Sequence, residues 1–160
     1  MQESWNLRLA RNEDSEELVR LIGEVYREYG DEVDLKGYDR DLLDPEGAYR
    51  GKGGEIVVLE TDHIVGAHAT QPVDVAAGIV TFRRLYLPEE LRGTGAGKLL
   101  MDWAVDWSRE HGFRRVEFWS DTRFERAHRF FERFGFARGG IREVAEGKLV
   151  FSEHHFSMDL

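Results

Sequence analysis

The sequence predicts an α/β (α+β) fold, a mixed and strongly twisted central sheet of about six to seven strands with helices on both faces. Three observations carry that prediction. Strand-like and helix-like apolar periods alternate in the order β-α-(α)-β-β-β-α-β-α-β-β. Between residues 55 and 87, three strand-like segments follow one another through tight-turn sequences, which makes an antiparallel meander. A glycine-rich loop then joins the last of these strands to a long helix and a further strand, which is a parallel crossover. With 160 residues, 41% of them hydrophobic and 33% charged, one compact domain over residues 1–160 is expected.

The elements follow in order. Trp5 to Ala10 reads as a short strand. Asp14 and Glu17 have capping-box spacing, and Leu18, Leu21, Ile22, Val25 and Tyr29 recur at helical spacing until Gly30 ends the helix. Residues 31–54 are irregular and acidic, with a short second helix near Tyr38–Leu43. The meander is Glu55–Glu60, Ile64–Val73 and Ile79–Leu87, turned at Thr61-Asp62-His63 and Ala76-Ala77-Gly78. The long helix spans about Gly95–His111 with an apolar stripe of Ala96, Leu99, Leu100, Trp103 and Trp107, and Gly112 caps it. Arg115–Ser120 is a strand. The next helix shows Ala127, Phe130, Phe131 and Phe134 on one face and stops at Gly135. Two closing strands run from Phe136 onward and over Lys148–Met158.

Composition narrows the function classes. No apolar run approaches the roughly 18–20 residues that cross a bilayer, so no membrane association is expected. The first residues, MQESWNLRLARNEDSEEL, lack a basic segment followed by an apolar one, so a cytosolic, unprocessed protein is expected. The chain has no cysteine, which removes disulfides, thiolate-bound zinc and thiol nucleophiles. No His-Glu-x-x-His or similar spacing occurs, and no metal is expected. A net charge of −9 argues against nucleic acid as a partner. The charge is uneven: residues 83–133 hold 11 Lys+Arg against 9 Asp+Glu. That segment suits an anionic ligand.

The sharpest motif is Arg92-Gly93-Thr94-Gly95-Ala96-Gly97-Lys98, between a strand and the long helix. N–H groups at a helix N-terminus are unsatisfied and sit at the positive end of the dipole. Glycines remove the Cβ atoms that would hold a phosphate away, so the loop reads as a pyrophosphate cradle. A Walker loop would need glycine at Arg92 and Ser or Thr at Leu99. A dinucleotide fingerprint would need glycine where Lys98 stands. The pattern Arg/Gln-x-x-Gly-x-Gly/Ala is met by Arg92, Gly95 and Gly97.

With Arg84-Leu85-Tyr86-Leu87-Pro88-Glu89 before it and Ala127-x-x-Phe130-Phe131-Glu132-x-x-Gly135-Phe136 after it, this loop resembles the GCN5-related N-acetyltransferases (GNAT). The likeness is specific over residues 84–136 and looser elsewhere. The resemblance implies a single N-acetyltransferase domain with acetyl-CoA as co-substrate. It implies pyrophosphate on the loop and pantetheine between the splayed strands that carry Leu85–Leu87 and Arg115–Ser120. The implied cofactor-binding residues are Leu85, Tyr86, Leu87, Arg92, Gly93, Thr94, Gly95, Ala96, Gly97, Lys98, Phe124, Ala127 and Phe131. A backbone N–H would face the thioester carbonyl, and no covalent enzyme intermediate is needed.

Three positions depart from the family. Phe131 stands where a tyrosine usually protonates the leaving thiolate. Phe124 replaces a common Asn, and Thr81 falls where a glutamate base often sits. A thiol with a reference pKa near 8.5 leaves tolerably without help. Replacement candidates are Asp121, His68 and His128, with Ser120, His154 and His155 nearby in the expected layout. The plain readings are that His128 is a solvated helix residue and His68 a satisfied sheet residue. His154 and His155 point to opposite faces.

The acceptor side falls to residues 28–46, EYGDEVDLKGYDRDLLDPE, with eight acids and two bases. One reading is a solvated loop. The other is an acidic, aromatic rim in which Tyr29, Glu32, Asp34 and Tyr38 recruit a cationic amine. The leading function is an acyl-CoA-dependent N-acetyltransferase acting on a primary amine of a small molecule or protein. The competing readings are a non-catalytic acyl-CoA sensor on the same fold and an interaction module, for which the glycine loop would be idle. A homodimer through the last strands is a further expectation.

Overall fold

The computed structural model describes residues 4–146 and 149–160. Its strands are β1 (Asn6–Leu9), β2 (Glu55–Glu60), β3 (Ile64–Asp74), β4 (Ile79–Tyr86), β5 (Arg115–Asp121), β6 (Ala137–Glu146) and β7 (Leu149–Asp159). Its α-helices are α1 (Ser15–Arg27), the single turn α2 (Pro45–Ala48), α3 (Ala96–Glu110) and α4 (Glu125–Phe134). One seven-stranded sheet runs in the order β1-β2-β3-β4-β5-β7-β6. Only β4 and β5 pair in parallel. Lys148, at the start of the expected last strand, lies outside the described residues, as do the first three residues of the expected leaderless start.

Strand β2 shows why both faces are covered. Side chains alternate along a strand. Ile56 and Val58 accordingly pack with Leu18, Leu21 and Ile22 of α1. Val57 and Leu59 pack with Ala96 and Leu100 of α3. A further cluster joins α3 to α4 through Met101, Ala104, Val105, Phe118, Phe131 and Phe156. Each such fully buried side chain contributes about 1.5–3 kcal/mol.

Local expectations changed where a stronger partner was available. The capping box of Asp14 and Glu17 does not form. Asp14 instead takes the Arg8 guanidinium at 2.8 and 2.9 Å and the Arg11 N–H at 2.8 Å. Glu17 accepts the Ile64 N–H at 3.2 Å. A guanidinium is a stronger donor than a backbone amide, so the carboxylate is drawn away from its helix. The short helix expected near Tyr38–Leu43 is a 3-10 turn, Arg40–Leu43, followed by α2. On α3 the buried stripe is Ala96, Leu100, Met101, Ala104, Val105 and Ser108, and Leu99 faces outward. Trp103 and Trp107 pack at its edge rather than at its centre.

Two irregularities of β4 create the site. Ala69 pairs with Arg83 and Ala67 with Tyr86, so His68 alone faces two residues, Arg84 and Leu85. This is a β-bulge. Arg84 sits in it with φ of 62°, a left-handed conformation that costs a non-glycine residue about 1–2 kcal/mol. Strand β4 also meets β5 only at Ile79–Arg115 and Val80–Val116. Beyond those pairs the two strands part, as the resemblance implied.

Candidate active site

The parted strands open into a cleft of about 890 Å³ between the start of α3, α4 and the segment after α1. At one end lies the glycine loop. The N–H groups of Gly93, Thr94, Gly95, Gly97 and Lys98 have no acceptor among the described residues. Gly93 and Gly95 adopt φ of 77° and 96°, which L-residues rarely reach. A Cβ on either would meet no protein atom within 4 Å, so the loop's surface is open. Five free N–H groups at a helix N-terminus fit a pyrophosphate.

Most residues expected to hold the cofactor line this cleft: Leu85, Tyr86, Leu87, Arg92, Gly93, Gly95, Gly97, Lys98, Phe124, Ala127 and Phe131. Thr94 and Ala96 do not. The Thr94 hydroxyl donates to the Leu91 carbonyl at 2.5 Å, and the Ala96 side chain is buried. The Arg92 side chain is also spoken for. It donates to Glu28 at 2.9 Å and to the Leu87 carbonyl at 3.1 Å, so it fastens the loop to the end of α1. Besides Arg83, the cations that face the cleft without an ion pair are Arg126, Arg129 and Arg133 of α4, among the described residues. Their i, i+3, i+7 spacing on one helix face was the signal that sequence reasoning passed over.

The middle of the cleft holds Phe82, Met101, Phe118, Phe131, His68 and Ser120. Phe131 packs edge-on against Phe118 at 5.0 Å and offers no proton. His68 is buried and its Nδ1 lies 3.0 Å from the Leu100 carbonyl. Since a carbonyl can only accept, Nδ1 carries the hydrogen and Nε2 is left without a partner. Burial pushes its pKa down to about 4. His128 is buried rather than solvated, with Nε2 at 3.0 Å from Ser120 Oγ, and it does not line the cleft. Burial, then the nearby Arg138 and His154, push its pKa down to about 4. His128 is therefore a neutral support for Ser120, the group that does face the cleft.

Asp121 falls out as a base. It lies in a separate depression beside Thr122 and Ser152. Its carboxylate accepts from Arg123 Nη2 at 2.7 Å and from the Arg123 N–H at 3.0 Å. His154 and His155 do not line the cleft either. His154 packs on His128 with its Nδ1 buried and unpartnered, and His155 packs edge-on against Trp119 on the opposite face. Thr81 pairs with Gln71 in the sheet, away from the cleft. Two carboxylates line the cleft: Glu89, which is exposed, and Glu153 of β7, which is buried, with Oε1 taking Arg142 Nε at 2.9 Å.

Away from the loop the cleft is lined by Tyr38, Arg83, Arg84, Trp119 and Glu153, and Tyr29 lines it beside Phe124 at 4.7 Å. Of the residues expected at the acceptor side, Tyr29 and Tyr38 line the cleft, and Glu32 and Asp34 do not. Asp34 caps its own turn by taking the Lys36 N–H at 3.2 Å. The acidic run is not an unneutralised rim. Arg84 is buried between Asp39 at 2.9 Å and Asp41 at 2.6 Å, and Glu28 and Asp31 pair with Arg92 and Arg123. Arg84's ion pairs hold Asp41 below the usual carboxylate range even though burial alone would raise it. The partners of these acids lie 43 to 92 positions away, out of reach of a local charge count. Glu32, Asp34 and Asp44 make no ion pair among the described residues, and none of the three lines the cleft.

Among the described residues, no helix is long and apolar enough to cross a membrane, and no group of three or more His, Asp or Glu side chains could hold a metal ion.

Known proteins share this fold. The chain is similar to the aminoalkylphosphonate N-acetyltransferase of Salmonella typhimurium, at 28% identity over 85% of this chain and 87% of that protein. Its fold matches an acetyltransferase from Streptococcus agalactiae with a TM-score of 0.82 at 16% identity, over 99% of this chain and 100% of that one. It also matches a GNAT superfamily phosphinothricin acetyltransferase from Sinorhizobium meliloti, solved in complex with acetyl-CoA. There the TM-score is 0.77 at 17% identity, over 98% of this chain and 88% of that one. The model of the acetyltransferase (GNAT) family matches residues 16–136, from the second residue of α1 through the loop, the splayed strands and α4, and the chain belongs to that family.

Proposed function

We propose that the chain transfers an acetyl group from acetyl-CoA to an amine by direct attack, with Glu153 as the base and Ser120 as the proton donor. The observation that carries this reading is one continuous cleft with five free N–H groups at one end and a buried, cleft-facing carboxylate at the other. Bound acetyl-CoA supplies an activated acyl group and a thiol leaving group. The loop N–H groups hold its pyrophosphate, and Arg126, Arg129 and Arg133 add charge beside it. The edge of β4 that has left β5 offers backbone groups to the pantetheine arm, and an N–H there can meet charge developing on the acyl oxygen. Glu153 takes a proton from the acceptor ammonium, and Arg142 fixes its orientation. Ser120, held by neutral His128, passes a proton to the departing sulfur while its oxygen regains one from solvent. The similarity to a protein named an aminoalkylphosphonate N-acetyltransferase supports an amine as the acceptor.

A screen of primary amines that reads free CoA thiol tests the reading. Turnover with at least one amine, lost in Glu153→Gln, is expected. Phe131, without the usual hydroxyl, favours the second reading, a non-catalytic acyl-CoA sensor. Tight acetyl-CoA binding with no thiol released across the screen would establish that reading instead.

A further inference from the structure

Arg83 is the one cation of the cleft's far end without a partner. It lines the cleft, is only partly exposed, and makes no ion pair or hydrogen bond among the described residues. Every neighbouring guanidinium is committed. Arg84 is held by Asp39 and Asp41. Arg142 is held by Glu153 and lies over the Trp119 ring at 4.3 Å. The carboxylates near Arg83 are committed too. The Asp39 oxygens take Tyr26 Oη at 2.6 Å and the Asp34 N–H at 2.9 Å, besides Arg84. The Asp41 oxygens take Tyr49 Oη at 2.5 Å and two Arg84 nitrogens at 2.9 and 2.6 Å. Two arginines and two aspartates balance in charge, yet the five N–H donors of Arg83 have no acceptor.

The bulge explains how this donor came to face the cleft. Strand alternation would send consecutive residues to opposite faces. The left-handed Arg84 breaks that alternation, so Arg83 and Arg84 share the face that looks toward α1. Arg84 is buried as a structural ion and Arg83 is left at the cleft wall. The coenzyme phosphates have their own donors, the loop N–H groups and the α4 arginines. Arg83 precedes Gly93, the first free N–H of the loop, by ten residues.

The geometry points to an acceptor amine that also carries an oxyanion, a carboxylate, phosphonate or phosphate, which Arg83 binds while Glu153 receives the ammonium. This inference rests on the transferase reading only for the fate of the amine. A guanidinium whose donors are all free gains paired, charge-assisted hydrogen bonds from an oxyanion. It would oppose a second positive charge. A simple alkylamine or a polyamine is therefore the wrong shape of charge for this wall.

The test is calorimetric titration of CoA-loaded protein with aminoethylphosphonate, β-alanine, propylamine and putrescine. The first two are expected to bind at least about tenfold more tightly than the last two. Arg83→Gln should erase that preference, Arg83→Lys should retain part of it, and the Kd of acetyl-CoA should move less than about twofold in either. Thermal melts matching wild type establish that the variants are folded. Equal affinity for all four amines, a preference for putrescine, or a preference that survives Arg83→Gln overturns the inference. A matching loss of acetyl-CoA affinity also overturns it, because Arg83 would then serve the coenzyme. Arg83-dependent binding without release of CoA thiol upholds the oxyanion site and sinks the transferase reading instead.

Discussion

At the coenzyme end of the cleft the binding groups are backbone N–H groups of five residues within one six-residue stretch, Gly93 to Lys98. At the acceptor end they are side chains: Arg83 from β4, Trp119 from β5, Glu153 from β7 and Tyr38 from the segment after α1. A backbone site is local in sequence and almost indifferent to side-chain identity beyond its glycines. A side-chain site is assembled by tertiary structure and can be re-tuned one residue at a time. The first end suits a ligand that is always the same, and the second suits one that differs from protein to protein.

The largest effect should come from breaking the backbone end. Gly95→Asp puts an L-residue at a φ of 96° and a carboxylate beside the free N–H groups. The carboxylate can take the place of a phosphate, so acetyl-CoA affinity should fall at least about thousandfold. Calorimetry measures it, and unchanged affinity in a folded variant would remove the coenzyme assignment. Gly97→Ala is the milder companion. Its Cβ meets Leu87 and Phe130 at 3.5 and 3.6 Å, ordinary contacts, so the fold should tolerate it and the affinity loss should be smaller.

This difference in construction also decided what could be read from the chain alone. The meander, the crossover, both long helices and the loop follow from local periods and glycines, and they stand where the sequence places them. Arg126, Arg129 and Arg133 are legible in the sequence as a stripe along one helix face. Glu153 was not visible, because its role depends on β7 lying beside β5 and facing the opening. Nor was the neutralisation of Asp39 and Asp41 by Arg84, which needs a bulge and a residue at positive φ that no local pattern announces. Asp121 looked available for the complementary reason, since its partner Arg123 acts only through the turn they share.

Breaking the side-chain end should cost less. Glu153→Gln keeps the shape and the Arg142 contact but removes the base. A kcat loss of about a hundredfold is expected, with the Kd of acetyl-CoA unchanged. A variant that keeps wild-type kcat would mean that solvent deprotonates the amine.

The two halves should also lose stability in different pH windows. Burial lowers the pKa of His68 and His128 to about 4, against a reference near 6.5. Between those values the unfolded chain binds protons that the native one refuses. Stability is therefore present in full above about pH 6.5 and declines as pH falls toward 4, by about 2 kcal/mol for each histidine by pH 4.5. Asp41, at the acceptor end, is lowered from 3.8, so its contribution is intact through that window and is lost only as pH falls further. Denaturant melts across this range should show the first decline, with His128→Gln removing about half of it. A flat profile down to pH 4.5 would mean that both histidines protonate freely in the native state.

The smallest effect is the most informative about Phe131. At neutral pH His128 is a neutral imidazole and no strong acid, because its pKa lies near 4. It can only orient the hydroxyl 3.0 Å away, so the proton for the leaving sulfur comes from Ser120. A thiol is a tolerable leaving group without an acid, so Ser120→Ala should lower kcat by only about tenfold, leaving acetyl-CoA affinity alone. His128→Gln should fall between wild type and Ser120→Ala, since it weakens orientation but keeps the hydroxyl. The decisive variant is Ser120→Ala combined with Phe131→Tyr. Phe131 lines the same cleft from α4, so the added hydroxyl enters it from the facing wall. If the cleft needs one proton donor and does not care which wall supplies it, the double variant should recover most of the lost kcat. Recovery would explain why this chain tolerates phenylalanine where its relatives' pattern has tyrosine. If Ser120→Ala is as active as wild type, the thiolate leaves unaided and the Ser120–His128 pair serves only to hold α4 against β5.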